Sequence, residues 1–242
     1  MAPAWPVPNS DRDPPPRLAM LAEFPRAAYG LAELAARWRG LAEDPRGDGY
    51  PVLALPGLFN ADRSLVVLRR HLRRLGYRAY GWGLGRNLGA RTIGAEGERL
   101  MARIAELHLR TGAPVTLVGV SLGGIMARVA AHRHPEMVRG VITISSPFAG
   151  PPSATNVWRP FQWLSGERID DPALLAQLAE AAAPLAVPST AIWSRSDGLV
   201  NGLNCRTSAC RAVEVRSSHL WVQMRAEVLS AVAQALADQR AA

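Results

Sequence analysis

Lysine is absent from this chain. All 28 basic residues are arginine, against 20 acidic residues, which gives a formal net charge of +8. So positive a balance raises the question of a nucleic-acid partner or an anionic membrane surface. The arginines are scattered, however, except in Arg69-Arg70-His71-Leu72-Arg73-Arg74. That cluster lies on an amphipathic helical pattern with Leu65, Leu68, Leu72 and Leu75 facing inward, so it reads as a solvated helix face. No nucleic-acid-binding motif accompanies it, and no nucleic-acid partner is expected. Long apolar runs are also lacking: none approaches the roughly 18 to 20 residues that span a bilayer as a helix. The opening Met1-Ala2-Pro3-Ala4-Trp5-Pro6 has no basic patch leading into an apolar segment, the mark of a secretory leader, so a cytoplasmic location is expected. Cysteine is scarce. Cys205 and Cys210 sit in one loop without the further ligands that a zinc site requires. Whether they pair as a disulfide or stay free thiols is open at this level. No internal repeat is found.

What is present is apolar and periodic. With 242 residues, 48% of them hydrophobic, the chain can build a substantial single core. Residues 1–17 are proline-rich with interspersed charge and are expected to form a poorly ordered tail. Residues 18–47 form a helical segment, expected as two short helices broken at Pro25, with Leu31, Leu34, Ala35 and Trp38 sharing one face of the second. Two readings of this segment stand side by side: a helix packed on the flank of the domain, or a peripheral membrane contact that makes the protein membrane-associated.

From residue 48 to 242 short β-branched runs alternate with helical patterns. The strands fall at Val52–Leu55, Tyr77–Tyr80, Val115–Gly119, Val141–Ser145, Thr190–Ser194 and Ala212–Val215. This is the pattern of an α/β fold: a mostly parallel twisted sheet of about six strands with helices on both faces. One excursion interrupts it at about 148–187, containing Trp158, Phe161, Trp163 and a helix from Pro172 to Ala183. Its size and place suit a lid or cap.

The chemistry centres on Gly119-Val120-Ser121-Leu122-Gly123, where a buried strand runs into a helix through a tight turn. That turn strains the serine and lifts its Oγ out of the sheet, and glycines on either side leave room for two backbones to approach. An activated serine needs a base and a carboxylate that orients the base. Asp197 follows the fifth strand and His219 the sixth, so both belong at the carboxyl edge that presents Ser121. The order Ser, Asp, His is the one expected for such a sheet. His71, His108, His132 and His134 lie in or near helices away from the serine, and Asp170 and Asp171 are the fallback acid. The oxyanion hole calls for two backbone N–H donors. Leu122 is one. Leu58, in the turn Leu55-Pro56-Gly57-Leu58-Phe59-Asn60, is the other, with Phe59 as second choice. Phe59, Trp82, Leu84, Trp158, Phe161 and Trp163 are the candidate lining of an apolar substrate pocket.

Gly119-Val120-Ser121-Leu122-Gly123, Ser194-Arg195-Ser196-Asp197-Gly198 and Ser218-His219 together resemble the α/β-hydrolase superfamily, especially its bacterial lipase- and esterase-like members. The resemblance covers roughly residues 50–238. It implies the α/β-hydrolase fold, cleavage of acyl or lipid esters through a Ser-His-Asp triad and an acyl-enzyme, a small-molecule or lipid ester as substrate, and neither cofactor nor metal. Two features depart from it. Pro56-Gly57 stands where such lipases often carry His-Gly, and the sheet begins at the strand equivalent to the family's third. Acyl transfer or thioester cleavage by the same triad remains open, as does a non-catalytic lipid- or partner-binding role. The oligomeric state is not indicated.

Overall fold

The computed structural model describes residues 13–158, 162, 163, 166, 168 and 170–241. Six strands form one sheet: β1 (Pro51–Leu55), β2 (Arg78–Gly81), β3 (Val115–Val120), β4 (Val138–Ile144), β5 (Ser189–Trp193) and β6 (Arg211–Glu214). Their spatial order is β2-β1-β3-β4-β5-β6, and every neighbouring pair is parallel. A parallel sheet needs helical crossovers, which cover both faces, and its central strands must then be apolar on both sides. All residues of β1 and β3 are accordingly buried. The strand period of two divides them between two cores. Val52, Ala54, Val118, Val120, Ile142 and Ile144 pack into one core with Leu68, Leu72, Leu229 and Val232. Leu53, Leu55, Leu117 and Val141 pack into the other with Leu100, Ile104, Leu107 and Ala127.

The described α-helices are α1 (Arg17–Leu21), α2 (Glu23–Arg37), α3 (Val66–Arg74), α4 (Ala90–Ile93), α5 (Glu98–Thr111), α6 (Leu122–Arg133), α7 (Pro172–Ala182) and α8 (Ala226–Ala241). Helices α2, α3 and α8 contribute to the first core, and α5 and α6 to the second. None is long and apolar enough to cross a membrane.

Three expectations for the N-terminal region are corrected. The break between its two helices falls at Ala22, and Pro25 lies inside α2. Proline is tolerated there because N–H groups of a helix's first turn have no intrahelical acceptor to lose. The residues of α2 turned inward are Glu23, Ala27, Gly30 and Leu34, so of the face shared by Leu31, Leu34, Ala35 and Trp38, Leu34 is the one that is buried. Leu31 is exposed, and Trp38 is partly buried against the core. Finally, the chain is already tied to the body from Asp13: Asn201 Nδ2 donates to Asp13 O at 2.8 Å and Asn156 Nδ2 to Pro15 O at 3.0 Å. The rest of the expected tail, residues 1–12, lies outside the described residues.

The excursion between β4 and β5 carries a short 3-10 turn (Pro152–Ala154) and α7. Arg128, buried in α6, donates to the carbonyls of Ala181 and, at 2.7 Å, Ala183, and lies over the Phe148 ring. Arg133 makes a bidentate pair with Glu180 at 3.0 and 2.9 Å. Helix α7 is thereby fixed to the helix that follows Ser121. Both cysteines are free thiols, and burial beside the charge of Asp197 pushes the Cys205 thiol well up.

Candidate active site

Strand β3 ends at Val120 and α6 begins at Leu122, so Ser121 makes the whole turn. Its φ of 52° and ψ of −122° lie outside the regions that L-residues favour. The surroundings impose this conformation: Ser121 N–H donates to Ile144 O on β4 at 2.8 Å, and Gly124 N–H to Ser121 O at 2.9 Å. The strain persists because neighbouring structure over-determines it, as it commonly does at functional sites. Close packing explains the glycines. A Cβ on Gly123 would stand 2.5 Å from Leu55 O and 2.6 Å from Pro56 O, and one on Gly119 would collide with the backbone of Gly123.

Three side chains meet here. His219 Nε2 is 3.1 Å from Ser121 Oγ, and His219 Nδ1 is 2.8 Å from Asp197 Oδ2. Asp197 is buried, and its second oxygen accepts from Leu199 and Val200 N–H, each at 2.9 Å. Burial alone would lower the pKa of His219. The adjacent charge and hydrogen bond of Asp197, with the charge of Glu23, outweigh it and hold the imidazole above its ordinary range. The other candidates lie elsewhere. Asp170 is exposed and paired with Arg168, and Asp171 caps α7 through Ala173 N–H. His71 faces Asp44, His108 and His132 contact backbone carbonyls, and His134 faces Glu136.

The turn after β1 lies against the serine: a Cβ on Gly57 would be 3.3 Å from Ser121 Cβ. Leu122 N–H opens α6, so it has no intrahelical acceptor. Among the described residues the Leu58 N–H donates no hydrogen bond. The Phe59 N–H is spent on Asn87 O at 2.8 Å, which removes the second-choice oxyanion donor.

A cavity of about 160 Å³ opens beside Ser121, Leu122 and Leu58. Its walls are mostly apolar, with Ile93, Met101, Ile125 and Val129 from the body and Leu174 and Leu178 from α7. Of the six aromatic and leucine positions expected in the pocket, the cavity includes Trp158. The others are corrected or fall outside. Trp82 is fully buried in the second core, its Nε1 donating to Gly85 O at 2.9 Å, and Leu84 packs against that core. Phe59 is not part of the lining. Trp163 is 81% exposed, and Phe161 lies outside the described residues. Such positions are apolar for the same hydrophobic reason whether they face a core or a ligand, so composition does not separate the two.

Two residues near the site carried no sequence signal. Asn87 is buried and donates from Nδ2 to Pro56 O at 2.7 Å; its main chain exchanges bonds with Phe59 and Asn60. It therefore pins the turn that carries Leu58. Glu23 is 1% exposed, and its carboxylate accepts N–H bonds from Gly198 and Leu220, the residues following Asp197 and His219. Separations of 175 and 197 residues leave no local pattern by which to find it.

An all-parallel sheet with a strained serine at a strand-to-helix turn, backed by histidine and aspartate from the ends of later strands, defines an α/β-hydrolase fold. Residues 99–166 match the family model described as alpha/beta hydrolase fold. A triacylglycerol lipase of Burkholderia plantarii is 30% identical over 138 residues, covering 54% of this chain and 38% of the lipase; the match spans well under half of that relative's length. Among solved structures, one of two metagenome-derived lipolytic enzymes aligns with a TM-score of 0.57 and 18% identity, covering 82% of this chain and 96% of the other. A monoacylglycerol lipase from Paleococcus ferrophilus aligns with a TM-score of 0.55 and 16% identity, over 79% and 96%. The fold is that of the α/β hydrolases, and the sequence match to that family's model lies within residues 99–166.

Proposed function

We propose that this chain is a serine hydrolase of carboxylic esters with an apolar acyl group. The observation that carries the reading is the continuous chain of contacts from Ser121 Oγ through His219 to buried Asp197, opening on an apolar cavity. Ser121 Oγ attacks the ester carbonyl while His219 Nε2 takes its proton. Asp197 fixes the tautomer through Nδ1–H and stabilises the imidazolium. The carbonyl electron pair moves onto the oxyanion, which the Leu122 and Leu58 N–H groups stabilise. As the tetrahedral species collapses, the C–O bond to the alcohol breaks and His219 returns the proton to the leaving oxygen. Water, deprotonated by His219, then attacks the acyl-enzyme; the carboxylic acid leaves and Ser121 regains its proton.

The cavity volume is close to the roughly 150 Å³ at which an engineered apolar cavity binds benzene. A short acyl group therefore fits the cavity in this arrangement. The test is hydrolysis of p-nitrophenyl esters of increasing acyl length, beside fluorophosphonate labelling, for the native chain and Ser121→Ala. Turnover and labelling are expected, with a loss of roughly 10⁴-fold or more in the variant. A folded native chain that neither turns over an ester nor takes the label defeats the reading. Equal activity in the variant does so too.

A further inference from the structure

Helix α2 holds the two loops that bear the acid and the base. Glu23 Oε1 accepts from Gly198 N–H at 2.8 Å, and Oε2 accepts from Leu220 N–H at 2.8 Å. One turn further along the helix, Arg26 Nη2 donates to Ser196 Oγ at 3.0 Å and to Ser217 O at 2.7 Å. Each side chain therefore touches both loops: residues 196 and 198 flank Asp197, and residues 217 and 220 lie close to His219. The approach is tight, because a Cβ on Gly198 would collide with Ala19 O just ahead of the helix. The loops also bond to each other through Ser194 Oγ, which donates to Ser217 O at 2.9 Å. That bond lies at the strand ends, whereas Glu23 acts beyond the two functional side chains.

Building on the hydrolase reading, we propose that Glu23 is a positioning residue: its single carboxylate fixes the distance between the Asp197 and His219 loops and adds negative charge behind the imidazole. A carboxylate suits the position because both oxygens face N–H donors and neither needs a proton. The charged and titratable groups around it are Asp197 and His219 on the loops and Arg26 on its own helix, 3.7 Å from Oε1. Arg225 also packs on α2, where it pairs with Glu33 at 2.8 Å. The Cys205 thiol feels Asp197. Burial, followed by the charge of Asp197, raises the Glu23 pKa, while the two backbone N–H bonds and His219 oppose that rise. Glu23 contributes in turn to the raised pKa of His219. Helix α2, at Glu23–Arg37, lies outside residues 99–166, the stretch that matches the family model.

The test compares the native chain with Glu23→Gln and, as a control on the exposed end of the same helix, Arg37→Gln. In E23Q the amide nitrogen opposes one of the two N–H donors, which releases one loop, and the negative charge is lost. Ester kinetics are expected to show kcat lower by about tenfold with KM within about twofold, because angstrom-scale displacement of reacting groups acts on the chemical step. The acid limb of kcat/KM is expected to move to lower pH, since the imidazole loses one of the charges that raise its pKa. R37Q should match the native chain. Fluorophosphonate labelling rates of Ser121 are read in parallel and carry the test if the ester panel misses the substrate. A folded E23Q with native kcat, native labelling rate and an unmoved acid limb overturns the proposal, leaving Glu23 a pin for the helix alone. If E23Q does not fold, Arg26→Gln frees the same loops and is expected to lower kcat at unchanged KM; unchanged kcat would overturn the proposal. A native chain that neither labels nor turns over defeats the hydrolase reading instead, and this inference with it.

Discussion

The two sides of the candidate site are built in opposite ways. On the serine side, the strand, the strained residue, the glycines and the helix all lie within Val115–Arg133. The geometry there follows from a short stretch of chain and from the close approach of Gly123 to Leu55 and Pro56. On the acid–base side, Asp197 and His219 come from separate loops whose spacing depends on a helix at the other end of the sequence. The first arrangement is steric and admits almost no adjustment. The second is electrostatic and hydrogen-bonded, so it can weaken by degrees. Damage to the serine side should abolish the site, and damage to the supports should slow it.

The largest expected effect follows from Gly123→Ala. Its methyl group would stand 2.5 Å from Leu55 O, backbone that cannot swing aside. We expect a loss of roughly 2–4 kcal/mol in denaturant unfolding, together with loss of Ser121 labelling. Near-native stability with full labelling would mean that the turn is more compliant than its packing implies.

A smaller effect is expected from Asn87→Ala, which leaves Pro56 O without its donor and loosens the turn carrying Leu58. Removing a partner from a buried acceptor costs about 1–3 kcal/mol. The catalytic signature should be a fall in kcat of about 10- to 100-fold, with KM little changed, because the proposed oxyanion donor would act mainly in the transition state. A rise in KM alone would place this turn in ground-state binding instead.

The smallest and most diagnostic effect is in pH. The folded-state pKa of His219 is raised, so its pairing with Asp197 stabilises the fold fully below the unfolded value of about 6.5, and that contribution is lost as pH rises through the folded value. In the proposed mechanism activity runs the other way, because His219 must be neutral to accept the serine proton, so kcat/KM should rise over the same interval. Denaturation midpoints and rates measured across that interval should have opposite slopes for this group. In His219→Gln the stability slope should flatten; a slope unchanged in that variant would assign it to another group.

Much of the fold was legible because parallel strands, buried on both faces, leave short apolar β-branched runs whose spacing reports the crossovers. Ser121, Asp197 and His219 were legible for a related reason. Each follows a recognisable strand, and the ends of parallel strands share one edge. The pocket was read poorly: Trp82 proved to be core and Trp163 to face solvent, while Ile125, Val129 and Leu174 line the cavity without any distinguishing pattern. Hydrophobicity predicts that a side chain leaves water, not which surface it meets. The inward face of α2 was not legible on similar grounds, because its register is set by packing against the loops and α8 and includes a buried carboxylate.

By itself, then, the sequence determined the α/β alternation, the elbow at Ser121 and the order of the three polar residues, all of which depend on local periodicity or on steric demands within a few positions. Only the tertiary structure decided that Phe59 N–H is committed to Asn87, that α7 closes one side of the cavity, and that Glu23 joins the loops of Asp197 and His219. Those contacts link residues far apart in the chain, and a hydrogen bond between distant groups leaves no period in the sequence from which it could be read.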